Sequence, residues 1–121
     1  MAVNLDVLKT QYLQNDTSTQ LDRLAAHLTQ ISALTQAGTE EQLAYDLIRE
    51  SQFFIEWAVA NLNLETTLSL ATELVELQRQ LSRWKLYWSK LWSNSCDRLP
   101  IARQSQEWSD RLLRLSRLLA S

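Results

Sequence analysis

The sequence contains one glycine, one proline, one cysteine and one histidine in 121 residues. A single glycine excludes the Walker A loop, the dinucleotide fingerprint and the nucleophile elbow, because each of these motifs needs two or more glycines. One cysteine and one histidine exclude zinc sites built from several such ligands, and the lone Cys96 excludes an internal disulfide. Cys96 and His27 lie in distant segments, so we expect no catalytic cysteine–histidine pair.

Long apolar runs are also missing from the sequence. No stretch approaches the roughly 18 apolar residues that a membrane-spanning helix requires, and the first residues lack the basic start and apolar stretch of a signal peptide. Together with the single cysteine, these features lead us to expect a cytoplasmic protein without a transmembrane segment. The length fits one domain over residues 1–121, which is large enough for one sizeable core.

The residues that are present favour helices. The composition is 45% hydrophobic and 21% charged, which is typical of a globular protein, and leucine is abundant. Because glycine and proline interrupt helices and occur once each, we expect nearly the whole chain to be helical. Four long segments carry apolar residues at helical spacing between short connections. The sequence therefore predicts an all-α fold, an antiparallel up-and-down bundle of four long helices plus a short N-terminal helix.

Several residues predict the ends of these helices. Asn4 is placed to cap the short first helix, and the second helix is expected over residues 18–37. Gly38 follows, where a left-handed C-terminal cap would end that helix. Thr39 and Gln42 match the capping box, in which two side chains satisfy two free backbone amides, so we expect a third helix from there to about Asn61.

The fourth helix is expected over residues 64–94, and it is the longest, at about 46 Å for 1.5 Å per residue. Residues 61–63 predict a break before it, with one continuous helix as the alternative. Apolar residues follow alternating steps of four and three along it, a seam typical of coiled-coil packing. The seam residues are Leu70, Leu74, Leu77, Leu81, Trp84, Trp88 and Leu91. Residues 93–100 predict a turn, with Pro100 opening the last helix.

The length of this helix leaves an overhang that needs a partner. Residues 1–14 could cover it, or a second copy of the chain could. Leu86, Leu113 and Leu118 lie off the predicted seams, and they are candidates for an interface in a homodimer.

Three of the five tryptophans recur every four residues, at Trp84, Trp88 and Trp92. Aromatic residues beside basic ones are typical of helices that bind nucleic acid or a membrane surface, but tryptophan is also a large core residue. Trp84 and Trp88 fall on the leucine seam, so we expect them in the core. Trp92, at the end of the helix, is compatible with either interpretation.

Basic residues define a second candidate surface. Residues 1–78 contain 3 basic and 11 acidic side chains, whereas residues 79–121 contain 9 and 3, so the two parts carry net charges of −8 and +6. On the fourth helix Arg79, Arg83 and Lys90 fall opposite the leucine seam. We predict that these three residues and Trp92 form the binding site if the protein binds an anionic partner, with a solvated helix face as the alternative.

Paired carboxylates indicate a third possibility. Glu73 and Glu76, and Glu107 and Asp110, are spaced three residues apart, so each pair shares a helix face that could hold a divalent cation. At these four positions the chain resembles the all-α nucleotide pyrophosphohydrolases, a resemblance that implies a magnesium-dependent enzyme acting on a nucleotide triphosphate. The seam places Glu73 and Glu76 away from the core, and solvated faces are the other interpretation. We expect Glu50, at the edge of an apolar face, to be structural.

Taken together, these features predict a non-enzymatic helical bundle that acts through protein-protein contacts, as an adaptor, assembly or regulatory module. We expect a protein partner and a homodimer, with no catalytic residues, no metal and no cofactor. An anion-binding module for nucleic acid or an anionic membrane surface is the first alternative, and the magnesium-dependent hydrolase is the second.

Overall fold

The structure is a computed structural model that describes residues 4–120, except for the side chains of residues 64–66. The described residues form six helices and no strand, which confirms the predicted all-α fold. The helices are α1 (Leu5–Leu13), α2 (Thr17–Ala37), α3 (Glu41–Ala60), α4 (Leu64–Leu86), α5 (Trp88–Trp92) and α6 (Ser95–Ala120).

One hydrophobic cluster draws side chains from all six helices. Contacts between neighbouring helices have the order expected of antiparallel segments. Tyr45 packs on Trp88, and Gln52, which comes later on α3, contacts Ser82, which comes earlier in the chain than Trp88. Glu73 on α4 likewise pairs with Arg111 on α6. These contacts are compatible with the predicted up-and-down arrangement of α2, α3, α4 and α6. The first helix, α1, packs against α3 and α2 through the fully buried Tyr12.

The predicted seam of leucines and tryptophans is buried from Leu70 on α4 to Trp88 at the start of α5, and its last residue, Leu91, is half-buried. Leu74, Leu77 and Leu81 are fully buried, and Trp84 and Trp88 are 4% and 6% exposed, as expected for core residues. Since side chains three and four residues apart share a helix face, this seam turns one side of α4 toward the rest of the bundle. The opposite side of the same helix is therefore free to form a surface.

Small residues line the contact between α2 and α6. Ser32 Oγ donates to the carbonyl oxygen of Ala102 at 2.7 Å, and Ser109 Oγ donates to that of Ala25 at 2.9 Å. Further along, the hydroxyls of Ser18 and Ser116 lie 2.8 Å apart, and each can also donate to the other residue's carbonyl oxygen. The residues recur every seven positions, which lets two antiparallel backbones approach closely along about four turns. This seam of small residues was not predicted.

The prediction of a single fourth helix over residues 64–94 is wrong at its C-terminal end. The backbone leaves the helical region at Tyr87 (φ −109°, ψ 20°), so α4 ends at Leu86 and the five-residue α5 follows. Trp88 and Trp92 both lie on α5, where their spacing of four residues brings the ring centroids to 5.3 Å. The longest helix is α6, with 26 residues, so the predicted overhang of the fourth helix is wrong too.

The predicted turn over residues 93–100 is much shorter than expected. Asn94 Oδ1 accepts a hydrogen bond from the backbone N–H of Cys96 at 2.9 Å, and α6 begins at Ser95. Pro100 lies inside this helix rather than at its first position. Proline costs a helix one backbone hydrogen bond, and near the N-terminus the orphaned carbonyl belongs to the exposed Cys96, where water can replace the missing donor.

The predicted capping box at Thr39 and Gln42 does not form. Instead Glu40 precedes α3 in the left-handed region (φ 56°, ψ 56°) without a side-chain cap, and Gln42 Nε2 donates to Asp46 Oδ1 at 3.0 Å. The N–H groups of Gly38 and Thr39 both donate to Leu34 O, so these residues close α2. A three-residue connection cannot use Thr39 to end one helix and to cap the next.

Other predicted ends are confirmed. Asn4 Oδ1 accepts from the N–H groups of Asp6 and Val7, and Gly38 closes α2 in the left-handed region with φ 71°. Residues 61–63 separate α3 from α4, so the break there is real. The second helix begins one residue earlier than predicted, because Asp16 caps it by accepting from the N–H of Thr19 at 2.8 Å, which lowers the pKa of this carboxyl.

Candidate helix-binding groove between α3 and α4

An open groove of about 850 Å³ runs between α3 and α4 on the outside of the bundle. The α3 wall is formed by Ile55, Glu56, Val59 and Ala60. The α4 wall is formed by Val75, Gln78, Arg79, Ser82, Arg83 and Leu86, with Tyr87 at the end. Most of this lining is apolar, and charged residues stand at the rim. A groove with these proportions between two antiparallel helices matches the shape of a third helix.

The exposed side of α4 carries a second stripe of residues, opposite the core seam. Its members are separated by steps of four, three, four, three and four, and every one of them is exposed. They are Leu68, Thr72, Val75, Arg79, Ser82 and Leu86, which we call the outer stripe. Its apolar members are well exposed, with 64% of Leu68, 43% of Val75 and 75% of Leu86 accessible to solvent. Helix α4 therefore has the spacing of a coiled-coil seam on both sides.

The floor of the groove contains an unsatisfied polar atom. Gln78 Nε2 donates to the carbonyl oxygen of Gln52 at 3.4 Å, and Gln52 Nε2 in turn donates to Ser82 Oγ at 2.9 Å. Gln78 Oε1 is buried and accepts no hydrogen bond from any described residue. An unpaired buried acceptor is costly, so this atom lowers the stability of the contact between α3 and α4.

Charge is distributed unevenly along α4. Its acidic residues all lie in residues 64–76 and its basic residues all lie in residues 79–86. Arg79 Nη1 contacts Glu76 Oε1 at 3.3 Å, but both side chains are mostly exposed, and such pairs add little stability. Arg83 has no ion-pair partner in the described part of the chain. The groove therefore presents two arginines that a negatively charged partner could approach.

The predicted basic stripe is divided by the break at Tyr87. Arg79 and Arg83 lie on α4 and line the groove, whereas Lys90 lies on α5. Arg83 and Lys90 also line a smaller cleft against α6, and the acidic Asp97 lies in that cleft too. The structure thus brings Arg79 and Arg83 together at one site and places Lys90 beside another.

The structure places Trp92 against the bundle. Its ring is half-buried, contacts Trp88 and lies below the guanidinium of Arg98, whose carbon is 5.7 Å from the ring centroid. Arg98 Nη1 also donates to the carbonyl oxygen of Trp92 at 2.7 Å. These contacts hold the indole as a packing residue at the end of α5, away from the groove.

Three of the four carboxylates considered for a metal are engaged by other side chains. Glu73 Oε2 accepts from Arg111 Nη1 at 3.0 Å, Glu76 pairs with Arg79, and Asp110 accepts from Gln106. No group of three or more His, Cys, Asp or Glu side chains able to hold a metal ion occurs among the residues that the structure describes. The hydrogen bonds of Glu73 show that it joins α4 to α6.

Glu50 and His27 form a partly buried pair between α2 and α3. His27 Nε2 and Glu50 Oε1 are 3.2 Å apart, and about one fifth of each side chain is exposed. The His27 ring also packs on Phe54, with ring centroids 4.8 Å apart. Glu50 was expected to be structural, and the structure places it against His27 of the neighbouring helix.

Of the leucines proposed for an interface, Leu86 lines the groove, whereas Leu113 and Leu118 are exposed on α6. Sequence reasoning identified Arg79, Arg83 and Leu86 but not the surface to which they belong. The signal that could have revealed this surface is the spacing of the residues from Leu68 to Leu86. These residues have the same steps of four and three as the core seam, and each lies two positions before a seam residue.

Within residues 4–120, none of the helices combines the length and apolarity needed to cross a lipid bilayer. Comparison of the chain with models of known protein families, with curated proteins and with solved structures finds no match.

Proposed function

We propose that this protein is a non-enzymatic assembly module, which works by holding an amphipathic helix of a protein partner in the groove between α3 and α4. The observation that carries this proposal is the outer stripe of α4. Leu68, Val75 and Leu86 are exposed on the face opposite the buried seam, and two of them line the groove. A helix face that exposes apolar side chains at coiled-coil positions is a surface on which another helix can pack.

The chemistry of the groove defines the partner helix. Arg79 and Arg83 on the α4 wall favour acidic side chains on the flank of the incoming helix that faces α4, whereas Glu56 on the α3 wall disfavours them on the other flank. Apolar residues every three or four positions would meet Ile55, Val59 and Val75. The expected partner segment is therefore an amphipathic helix with one acidic flank.

The free energies involved require a substantial partner surface. Burying the exposed parts of Leu68, Val75 and Leu86 is worth about 3–5 kcal/mol in total, taking about 1.5–3 kcal/mol for a whole side chain. Association itself costs roughly 4–15 kcal/mol in lost freedom of motion. The stripe alone therefore does not hold a partner. The incoming helix must bury a comparable apolar face of its own, which an amphipathic helix does and an isolated ion or a flexible acidic tail does not.

A binding experiment with two designed peptides tests this function. The first is a fluorescently labelled helical peptide with leucines at steps of four and three and glutamates on one flank. The second has the same leucines, with lysines on that flank. We expect the acidic peptide to raise its fluorescence anisotropy on binding, at least about tenfold more tightly than the basic peptide, because it faces Arg79 and Arg83.

Matched protein variants locate the binding surface. Arg79→Glu with Arg83→Glu is expected to weaken the acidic peptide and to strengthen the basic one. Arg114→Glu with Arg117→Glu, which makes the same charge change on exposed positions of α6, is expected to leave both affinities nearly unchanged. Equal binding of the two peptides, or equal effects of the two double variants, would show that the groove is not the binding site.

A further inference from the structure

We propose that the occupant of the groove is helix α4 of a second copy of this chain, so that the protein is a homodimer in which two α4 helices pack antiparallel. This inference rests on the proposed function and names the partner. It follows from the symmetry of the outer stripe, from the distribution of charge along α4 and from the position of the groove beside that stripe.

The spacing of the residues in the outer stripe is symmetric about position 77. Its steps of four, three, four, three and four are symmetric, and an antiparallel second copy centred on Leu77 places Leu68 opposite Leu86. The same register places Thr72 opposite Ser82, both with hydroxyl groups, and Val75 opposite Arg79, whose aliphatic stem can cover it. A surface that must match itself in a two-fold dimer needs this kind of palindrome.

Charges on α4 are complementary under the same two-fold operation. On the exposed side of α4 the acidic Glu76 precedes the basic Arg79 and Arg83, whereas Glu73 pairs with Arg111 on α6 and takes no part in this contact. In this register Glu76 lies within one residue of the position opposite Arg79 of the second copy. Arg83, which has no ion-pair partner among the described residues, lies opposite the region of Thr72. A parallel arrangement would place Arg79 against Arg79 and Arg83 against Arg83, so the antiparallel arrangement is favoured.

The groove continues this contact onto α3. Val75, Ser82 and Leu86 belong both to the outer stripe and to the lining of the groove, so a helix packed on the stripe also faces Val59. The two α4 helices and the two α3 helices would then form a four-helix arrangement around the two-fold axis. Because the two copies use the same surface in a two-fold contact, the assembly closes at two chains and does not continue into a filament.

Two variants with opposite charge changes on α4 test the dimer. Arg79→Glu with Arg83→Glu makes the length of α4 acidic, and Thr72→Arg with Glu76→Arg makes it basic. In sedimentation velocity at micromolar concentration, wild-type protein is expected to have the mass of two chains. Each variant alone is expected to have the mass of one chain, because like charges then meet at both ends. An equimolar mixture is expected to restore the mass of two chains.

The outcomes of this experiment separate the inference from the function on which it rests. Monomeric wild-type protein that still binds the acidic peptide would overturn the dimer and leave the helix-binding function standing. A wild-type dimer that persists in both variants would also overturn the inference, and would indicate another face such as that of Leu113 and Leu118. Monomeric protein that binds no peptide would overturn both. Circular dichroism of every variant, matched to that of the wild type, shows that a loss of mass is not a loss of fold.

Discussion

The guanidinium group of Arg98 lies directly over Gly38. A Cβ atom at residue 38 would be 2.6 Å from Arg98 Nη2, which is closer than such atoms approach in folded proteins. Arg98 Nε donates to the carbonyl oxygen of Thr35 at 3.3 Å, and Nη1 donates to that of Trp92 at 2.7 Å. One cation thus serves carbonyl groups near the C-terminal ends of α2 and α5, where the helix dipole is negative. The absence of a side chain at Gly38 makes room for it.

Replacing Gly38 tests whether the position of Arg98 requires a residue without a side chain. Gly38→Ala is expected to lower the free energy of unfolding by about 1–2 kcal/mol for the left-handed backbone alone, with φ at 71°. Displacing Arg98 from its two carbonyl acceptors should add to this cost. Urea denaturation of the two proteins, followed by circular dichroism at 222 nm, measures the difference.

The contribution of the contact is separated by a double-mutant cycle with Arg98→Ala. In the Arg98→Ala background, Gly38→Ala should cost less than in the wild type, because only the backbone strain remains. If Gly38→Ala costs the same in both backgrounds, Gly38 is required for its conformation only and the approach of Arg98 is incidental.

The seam of small residues between α2 and α6 makes a second prediction. Ala102→Leu should lower the free energy of unfolding by about 1–3 kcal/mol, because the larger side chain has no space where Ser32 donates to the Ala102 carbonyl oxygen. Arg103→Leu is the matched control on the exposed neighbouring position, and it should change stability by less than about 0.5 kcal/mol. Similar losses in the two variants would contradict the close approach of these helices.

Tyr12 makes the stability of the fold depend on pH in the alkaline range. Its ring is fully buried and stacks on Phe54 at 4.2 Å, and its hydroxyl donates to the carbonyl oxygen of Gln20 at 3.0 Å. Burial raises the pKa of Tyr12 above its ordinary value of 10.0, and the positive charge of Arg23 offsets part of this rise. The folded protein therefore keeps this proton at a pH where the unfolded chain releases it.

The direction of the pH dependence follows from the difference between the pKa of Tyr12 in the folded protein and in the unfolded chain. The contribution of Tyr12 is complete below pH 10 and is lost as the pH rises from there toward its pKa in the folded state. At neutral pH, Tyr12→Phe should lower the free energy of unfolding by about 1 kcal/mol through the lost hydrogen bond. Urea denaturation across the range from pH 7 to pH 11 should show the gap between the two proteins closing above pH 10. A constant gap over that range would contradict the assignment.

Much of the fold follows from short-range patterns in the sequence. Helical periodicity correctly assigns Leu74, Leu81 and Trp84 to the core, because burial of one helix face imposes that spacing on any bundle. The caps at Asn4 and Gly38 are also correct, since each depends on a side chain or a backbone angle within a few residues. These features are local, and no knowledge of the neighbouring helices is needed to predict them.

The errors occur where neighbouring helices decide the backbone. The break at Tyr87 accompanies the packing of Trp88 on Tyr45, which belongs to another helix. Thr39 resembles a cap, but the N–H of this residue is used to close the preceding helix at Leu34. The sequence likewise places Arg79 and Arg83 on an outer face, whereas the groove exists only because α3 supplies the facing wall. Contacts between elements, and not propensities within them, determine the candidate site.

The most direct measurement of the proposed assembly is a disulfide cross-link between the two ends of the outer stripe. Leu68→Cys and Leu86→Cys are introduced into separate chains, each with Cys96→Ser to remove the native thiol. The two chains are mixed and oxidised. In the antiparallel dimer, residue 68 of one chain faces residue 86 of the other, whereas two copies of residue 68 are about 27 Å apart, 18 residues at 1.5 Å each. A disulfide requires Cβ atoms about 4 Å apart.

We expect a covalent dimer in the mixture and little in either chain alone, as read by non-reducing gel electrophoresis and mass spectrometry. Cross-linking of Leu68→Cys chains to each other would indicate a parallel arrangement and contradict the antiparallel dimer. Absence of a covalent dimer in the mixture, with the fold intact by circular dichroism, would contradict the packing of α4 against a second copy of itself.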